Sequence, residues 1–312
     1  MSLDRLKQIA GRKRLTAAAA AFAQGRGWHL ARVAEYDLVR RDYYSPIPNL
    51  GALPADVWLR KSPMAGIDFD TASQIRWAEK TLSSAIAEFS APAHGTYGAG
   101  AYYYENRSFE YGDAEIAYAI VRATRPRRIL ELGSGFSTLI LAMACEANAR
   151  DGADTELVAN DPFPRGVTPI PTPGLTRLER RRAEDVPLEE FEKLEAGDVL
   201  FVDTTHTVKI GGDVNYVVLD VLPKLQPGVL VHFHDIFLPH EYPRPLVEGH
   251  GAYWAEQYLL QAFLALNAGY EVLFANHAVS VGEPEDFRQL VPAFRGDNVA
   301  SGFWLRARDH GT

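Results

Sequence analysis

The pattern of apolar and polar positions changes character near residue 127. Before it, apolar residues recur at helical spacing in "TASQIRWAEKTLSSAIAEFS", about 71–90, and again from Asp113 in "DAEIAYAIVRA", which stops before Pro126. After it, short apolar runs alternate with helix-forming stretches. The runs predict strands at 127–133, 155–161, 175–181, 198–203, 228–235, 270–276 and 302–308. Helices are expected near 137–149, 187–194, 213–224 and 253–268. Such alternation is the signature of a parallel sheet covered on both faces. The last two strands are separated by about 25 residues without a convincing long helix, which leaves them free to pair antiparallel. The expected fold is α/β: a seven-stranded, mostly parallel sheet with an antiparallel last strand and helices on both faces.

Residues 1–100 read as an N-terminal helical extension followed by an irregular lid or linker, and 101–312 as the main domain. The stretch "YYSPIPNLGALPADVW", 43–58, is rich in Pro and Gly and predicts an irregular connection. The formal net charge of −8 over 312 residues argues against nucleic acid as a partner. The first 41 residues run the other way, with nine Lys/Arg against three Asp/Glu and a helix-prone run, "TAAAAAFA", at 16–23. That segment reads as a surface helix packed on the main domain or a second subunit, or as a peripheral contact with anionic lipid. Homo-oligomerisation stays open. No apolar stretch reaches the roughly 20 residues that span a bilayer, and the start lacks the apolar centre of a signal peptide. With one cysteine, Cys145, on the apolar face of a helix, these features point to a reducing, cytoplasmic setting.

The chemistry begins at "RRILELGSGFSTLILAMA", 127–144. A strand ends in Gly133-Ser134-Gly135, and a helix opened by Ser137 or Thr138 follows. Such a turn lets a ligand approach backbone N–H groups closely. A nicotinamide-binding turn reads G-x-G-x-x-G, and here Thr138 stands where the third glycine belongs.

The stretch "ILELGSGFSTLILA" resembles motif I, E-x-G-x-G, of the class I S-adenosylmethionine-dependent methyltransferases. The resemblance extends over roughly 100–308. It takes in "NDPFPR" (160–165), "RAEDVPLEEFEKLEAGDVLFVDTTHT" and "LPKLQPGVLVHFHDIFLPHEYP", which is similar to the fifth-strand stretch of one bacterial, small-molecule O-methyltransferase-like branch. It implies a Rossmann-like domain, S-adenosylmethionine as cofactor and a small-molecule acceptor. Gly133, Ser134 and Gly135 would lie against the methionine end of the cofactor. Ser137 and the helix N-terminus suit its carboxylate, and Glu131 its ammonium. Asp161, 28 residues after Gly133, stands where an acid accepts the ribose hydroxyls. Its other reading is a turn former before Pro162. Glu184 and Asp185 fall where the class binds adenine, or simply open a helix. Tyr104, Asn106 and Phe109 belong to a segment expected to cover the cofactor, with Asp113 as a helix N-cap.

Methyl transfer is an in-line displacement, and a hydroxyl acceptor must lose its proton. Polar residues concentrate at the ends of the fourth and fifth strands: Asp203 and His206 in "VDTTHT", His232, His234 and Asp235 in "VHFHDIF". His206, Asp203 and His234 are the candidate catalytic residues, with a neutral His206 as the preferred general base. The arrangement is similar to metal-dependent catechol-type O-methyltransferases, with His234-Asp235 where those carry an Asp-Asn pair. A divalent metal, if used, would take Asp203, His234 and Asp235 as ligands; the metal-free version is slightly preferred. Tyr242, Trp254 and Tyr258 are candidates for an acceptor wall. Two rivals stay open: an NAD-dependent oxidoreductase, and a methyltransferase fold kept as a non-catalytic binding or scaffold protein.

Overall fold

The computed structural model describes residues 31–33, 36–38 and 43–309. The chain divides into two compact units, Met1–Ala55 and Asp56–Thr312. In the first, β1 (Ala31–Val33) pairs antiparallel with β2 (Tyr36–Leu38). The helix-prone run at 16–23 lies outside the described residues. The irregular connection expected at 43–58 holds two single turns of 3-10 helix, Leu50–Ala52 and Val57–Leu59.

The second unit opens with α1 (Thr71–Glu88), capped by Asp70, whose carboxylate accepts the N–H of Ala72. Ile75, Ala78, Leu82 and Ile86 recur at helical spacing and are buried. Next come α2 (Asp113–Thr124), β3 (Arg128–Leu132), α3 (Phe136–Arg150), β4 (Glu156–Asn160) and β5 (Arg177–Glu179). After a short α4 (Leu188–Glu192) follow β6 (Val199–Val202) and α5 (Asp213–Asn215), which continues as a π-helical stretch, Tyr216–Val221. The chain closes through β7 (Leu230–Phe233), α6 (Arg244–His250), α7 (Glu256–Leu264), β8 (Tyr270–Ala275), α8 (Asn276–Gly282), α9 (Pro284–Leu290) and β9 (Phe303–Ala307).

The seven strands lie in the order β5-β4-β3-β6-β7-β9-β8. The five from β5 to β7 are parallel, and β9 runs antiparallel to both β7 and β8. This is the expected mixed sheet, and the gap before β9 holds only two seven-residue helices. Successive strand residues feed opposite cores. Ile129, Phe201 and Leu230 join one built with α1, α2 and α3, while Leu130, Leu132, Leu200 and Val231 join the other, with α4, α5 and α7. Both faces being covered explains why the central strands β6 and β7 read as mostly apolar runs, whereas the edge strand β5 is partly exposed and carries Arg177 and Glu179. From β3 the chain moves outward to β4 and β5, then returns to place β6 on the other side of β3. The carboxyl ends of β3 and β6 therefore form a topological switch point, where α/β sheets open a crevice.

Sequence and packing differ over α1. The sequence division at residue 100 places it in the N-terminal extension, yet its apolar face sits in one core with α2 and β8 residue Phe274. Leu82 is fully buried there. Leu82→Ala should lower the stability of the second unit by about 2–5 kcal/mol, with sheet and helix signals melting together in urea. An unshifted midpoint would make α1 an appendage.

Candidate active site

At the end of β3 the two glycines serve different needs. Gly133 has φ +100°, and a Cβ there would overlap the carbonyl oxygen of Asp203 at the end of β6. It is a site of close backbone approach. A Cβ on Gly135 would meet nothing within 4 Å, so this residue borders open space. The α3 start is Phe136, one residue before the expected opener. Thr138, at the third-glycine position, accepts the N–H of Gly135 through Oγ1 at 3.0 Å. Ser137 Oγ donates to Glu131 Oε1 at 2.7 Å.

Glu131 is fully buried, and its Oε2 has no hydrogen-bond partner among the described residues. Burial raises its pKa to about 8 against the pull of the Ser137 hydrogen bond. Ser134 Oγ donates to Asp161 Oδ2 at 2.8 Å, and Phe163 N–H donates to Asp161 Oδ1 at 2.7 Å. Asp161 thus ties the turn to the loop after β4 as well as closing its own turn. Glu184 and Asp185 lie in a single 3-10 turn, Ala183–Asp185, with Glu184 facing Arg182 at 3.7 Å. Asn106 is committed to its own loop. Its amide donates to Tyr103 O and Phe109 O, and its carbonyl accepts Ser108 N–H and Phe109 N–H. Tyr103, on the same strap, packs its ring 5.1 Å from Phe136 at the turn.

Asp203, His206, His234 and Asp235 do come together. Val202 O receives the N–H of His234 at 3.0 Å, which aligns the ends of β6 and β7. His206 Nε2 lies 3.4 Å from Asp203 Oδ1 and 3.5 Å from Asp235 Oδ2. His234 Nδ1 is 3.8 and 3.7 Å from the same two carboxylates. Two members, His206 (φ 55°) and Asp235 (φ 57°), hold left-handed backbone conformations. These cost about 1–3 kcal/mol each and persist only where surroundings over-determine them, as functional sites do. Asp203 and Asp235 keep 31% and 23% of their side-chain surface exposed, so the cluster opens outward through its acids.

Two acids from other elements complete the cluster, and sequence reasoning missed both roles. Glu256, the first residue of α7, holds His206 Nδ1 at 2.8 Å. Asp113 lies 3.4 Å from His234 Nε2 and also accepts Ser301 N–H, Gly302 N–H and the Asn276 amide. It is not the N-cap of α2; Gly112 is, with φ 87°, and Glu115 accepts its N–H at 2.7 Å. The readable signal for Glu256 was its place on the buried stripe Glu256, Leu260, Leu264, where an acid must have a partner.

Burial alone would lower the pKa of His206, but the Asp203 carboxylate, the hydrogen bond to Glu256 and the charge of Asp235 lift it well above 6.5. The same contest, won by Asp235, Asp203 and Asp113, brings His234 to about 9. Burial would raise Asp203, yet His234 and His206 hold it at about 2. His206 is therefore an imidazolium at neutral pH, not the neutral base expected from sequence. His232 stands apart: it stacks 3.9 Å from Phe201 and 4.6 Å from Trp304, and burial drives its pKa well below 6.5. Among the described residues no three His, Cys, Asp or Glu side chains are arranged to hold a metal ion. Asp203, His234 and Asp235, the triad considered from sequence, instead have the His206 ring among them. Trp254 packs 4.5 Å from that ring and Tyr242 lies 6.0 Å beyond, while Tyr258 bonds Glu241 at the surface.

A family model described as a methyltransferase domain matches residues 130–236. An uncharacterized protein of Archaeoglobus fulgidus is 31% identical over 169 residues, 49% of this chain and 72% of that protein. Among solved structures, apo CmcI-N160 is similar at a TM-score of 0.41 and 16% identity, over 64% of this chain and 72% of the other. An O-methyltransferase from Bacillus cereus in complex with SAH gives 0.36 and 15%, over 78% and 93%. With the glycine turn, the ordered motifs and the sheet order in agreement, the chain belongs to the class I S-adenosylmethionine-dependent methyltransferases. No helix among the described residues is long and apolar enough to cross a membrane.

The unequal glycines give a direct test. Gly133→Ala should lower the melting temperature markedly, because its Cβ meets Asp203 backbone and its φ is left-handed. Gly135→Ala should melt within a degree or two of the parent. Equal melting temperatures for the two variants would mean that the close approach of β3 and β6 is not a constraint.

Proposed function

We propose that the chain transfers the methyl group of S-adenosylmethionine to a hydroxyl oxygen of a small-molecule acceptor. The observation that carries this is the His206 ring held between Asp203 and Asp235 on a loop that touches the glycine turn. The turn fits the cofactor on two counts: the unpartnered Oε2 of fully buried Glu131, and the open space at Gly135. Glu131 would hold the methionyl ammonium, Ser137 and the start of α3 the carboxylate, Asp161 with Ser134 the ribose, and Glu184 or Asp185 the adenine. Bound there, the cofactor supplies an electrophilic methyl on a sulfonium. Asn106 then acts as a brace for the covering strap. A dissolved acceptor in the cytoplasm suits a chain whose single cysteine is buried.

The protein's own work is to orient the hydroxyl and to take its proton as the oxygen attacks. With His206 charged, the imidazolium beside the attacking oxygen favours its ionised form, and the released proton passes by the carboxylate oxygens of Asp203 and Asp235 to water at their exposed edges. Trp254 and Tyr242 supply an apolar wall beside them.

Cofactor binding is testable without an acceptor. S-adenosylmethionine and its demethylated product should raise the melting temperature and NAD should not. Asp161→Ala should weaken binding roughly ten- to a hundredfold, the loss of charge-assisted hydrogen bonds of about 1.5–3 kcal/mol. Stabilisation by NAD alone would favour the oxidoreductase reading, and no stabilisation by any of the three the scaffold reading.

Turnover is then read as demethylated cofactor released with a panel of phenols, sugars and hydroxylated polyketides. For the acceptor that reacts, His206→Ala, which removes the positive charge beside the attacking oxygen, should cost about a hundredfold or more, and a chelator should leave the rate intact. The rate should show no inflection near pH 6.5, since the raised pKa keeps His206 charged through that range. An inflection there would restore the neutral-histidine base. Activity lost to chelator and restored by one metal would give the cluster to a metal instead.

A further inference from the structure

Glu256 has no part in the roles assigned above, yet it makes the shortest contact of the His206 ring, 2.8 Å to Nδ1, against 3.4 and 3.5 Å on the Nε2 side. Its side chain is 1% exposed, an expensive place for a carboxylate without a purpose. The two residues are also joined through backbone: the His206 carbonyl accepts the N–H groups of Ala255 and Glu256 at 3.0 and 3.2 Å. Main-chain and side-chain bonds therefore fasten the loop after β6 to the start of α7. Trp254 closes one side of the ring at 4.5 Å.

We propose that Glu256 is a positioning residue of the acceptor site: it holds His206 Nδ1–H and thereby commits Nε2 to the gap between Asp203 and Asp235. The role rests on reading the cluster as the acceptor site. At 3.4 and 3.5 Å, Nε2 sits at the outer limit of hydrogen bonding to either acid and belongs to neither. An acceptor oxygen entering between them meets the one ring nitrogen with bonding capacity left. Without Glu256, Nδ1 would lose the partner that holds it at 2.8 Å. The strained φ of His206 makes that support matter more, because the left-handed backbone is retained only while its surroundings hold it. Glu256 acts through His206 and touches no reacting atom.

The test is a proton spectrum of the full chain labelled with ¹⁵N-histidine, requiring no acceptor. The chain has nine histidines, and the His206 signals are identified by their loss in His206→Asn. The parent should show a downfield, slowly exchanging proton on His206 Nδ1. Glu256→Ala should abolish that resonance while leaving those of His232 and His277 in place. Glu256→Gln, whose carbonyl can accept the same bond, should restore it at a less downfield position. Glu256→Asp, one methylene shorter, serves as the deletion variant if the alanine form does not fold. Persistence of the resonance in a folded alanine or aspartate variant would overturn the proposal, and so would failure of a folded glutamine variant to restore it. The reading beneath it fails separately: if the resonance behaves as stated but His206→Asn turns over acceptor at the parent rate, Glu256 positions His206 but the cluster is not the acceptor site.

Discussion

The close approach of two backbones governs this site. Gly133, the residue after β3, lies against the carbonyl of Asp203, the residue after β6, and any side chain at Gly133 would force them apart. Asp203 N–H also donates to Leu132 O at 2.9 Å, so the strands are joined by hydrogen bond at the point where they touch. This is where sheet order reverses, and it leaves the glycine turn on one side and the acid–histidine cluster on the other with no spacer between. Under the proposed function, a methyl donor at the turn and an acceptor oxygen at the cluster would be brought within reach of each other by the sheet itself. Positioning on rigid elements is the larger part of what a protein contributes to an in-line transfer.

The cluster's electrostatics follow from the same placement. Strand ends bring two imidazoles and two carboxylates together, and helices α2 and α7 add Asp113 and Glu256 from the flanks. Four acids around two bases keep both histidines charged, although burial opposes charge on each. His232 shows the other outcome. Two residues before His234, inside β7, it meets Phe201 and Trp304 rather than carboxylates, and burial wins. Partner chemistry, not residue type, sets the protonation state.

Much of this was legible from residue pattern. Interior strands buried on both faces are near-continuous apolar runs and stood out; the observed limits of all seven fall inside the expected ranges, those of the short, partly exposed edge strand β5 included. Asp203, His206, His234 and Asp235 were legible because a polar residue just after such a run must lie at a strand's end. The seven-residue helices α6, α8 and α9 were not, because two turns give no periodicity to read. Asp113 and Glu256 were hidden differently. Each reaches the cluster from a distant stretch, Glu256 fifty residues after His206, and local reading gave Asp113 an N-cap's role and placed Glu256 only within the helix expected near 253–268. The charge state of His206 was unreadable for the same reason, since one of the acids that sets it had not been found.

The two glycines show how one motif answers two constraints. From sequence, both were explained by a ligand approaching backbone. Only Gly135 keeps that explanation, bordering open space; Gly133 is required by the protein's own packing. A fold that had lost its ligand would still need Gly133 for stability, but nothing in the packing would need Gly135. The same holds for Glu131, whose buried and unpartnered Oε2 raises its pKa to about 8 and weakens the folded state as pH rises. A cation placed against that oxygen would reverse the cost. The open space at Gly135 and the unmet acceptor at Glu131, which Ser137 in the first turn of α3 bonds through its hydroxyl, are the two features that suit the ammonium and carboxylate of the cofactor proposed above.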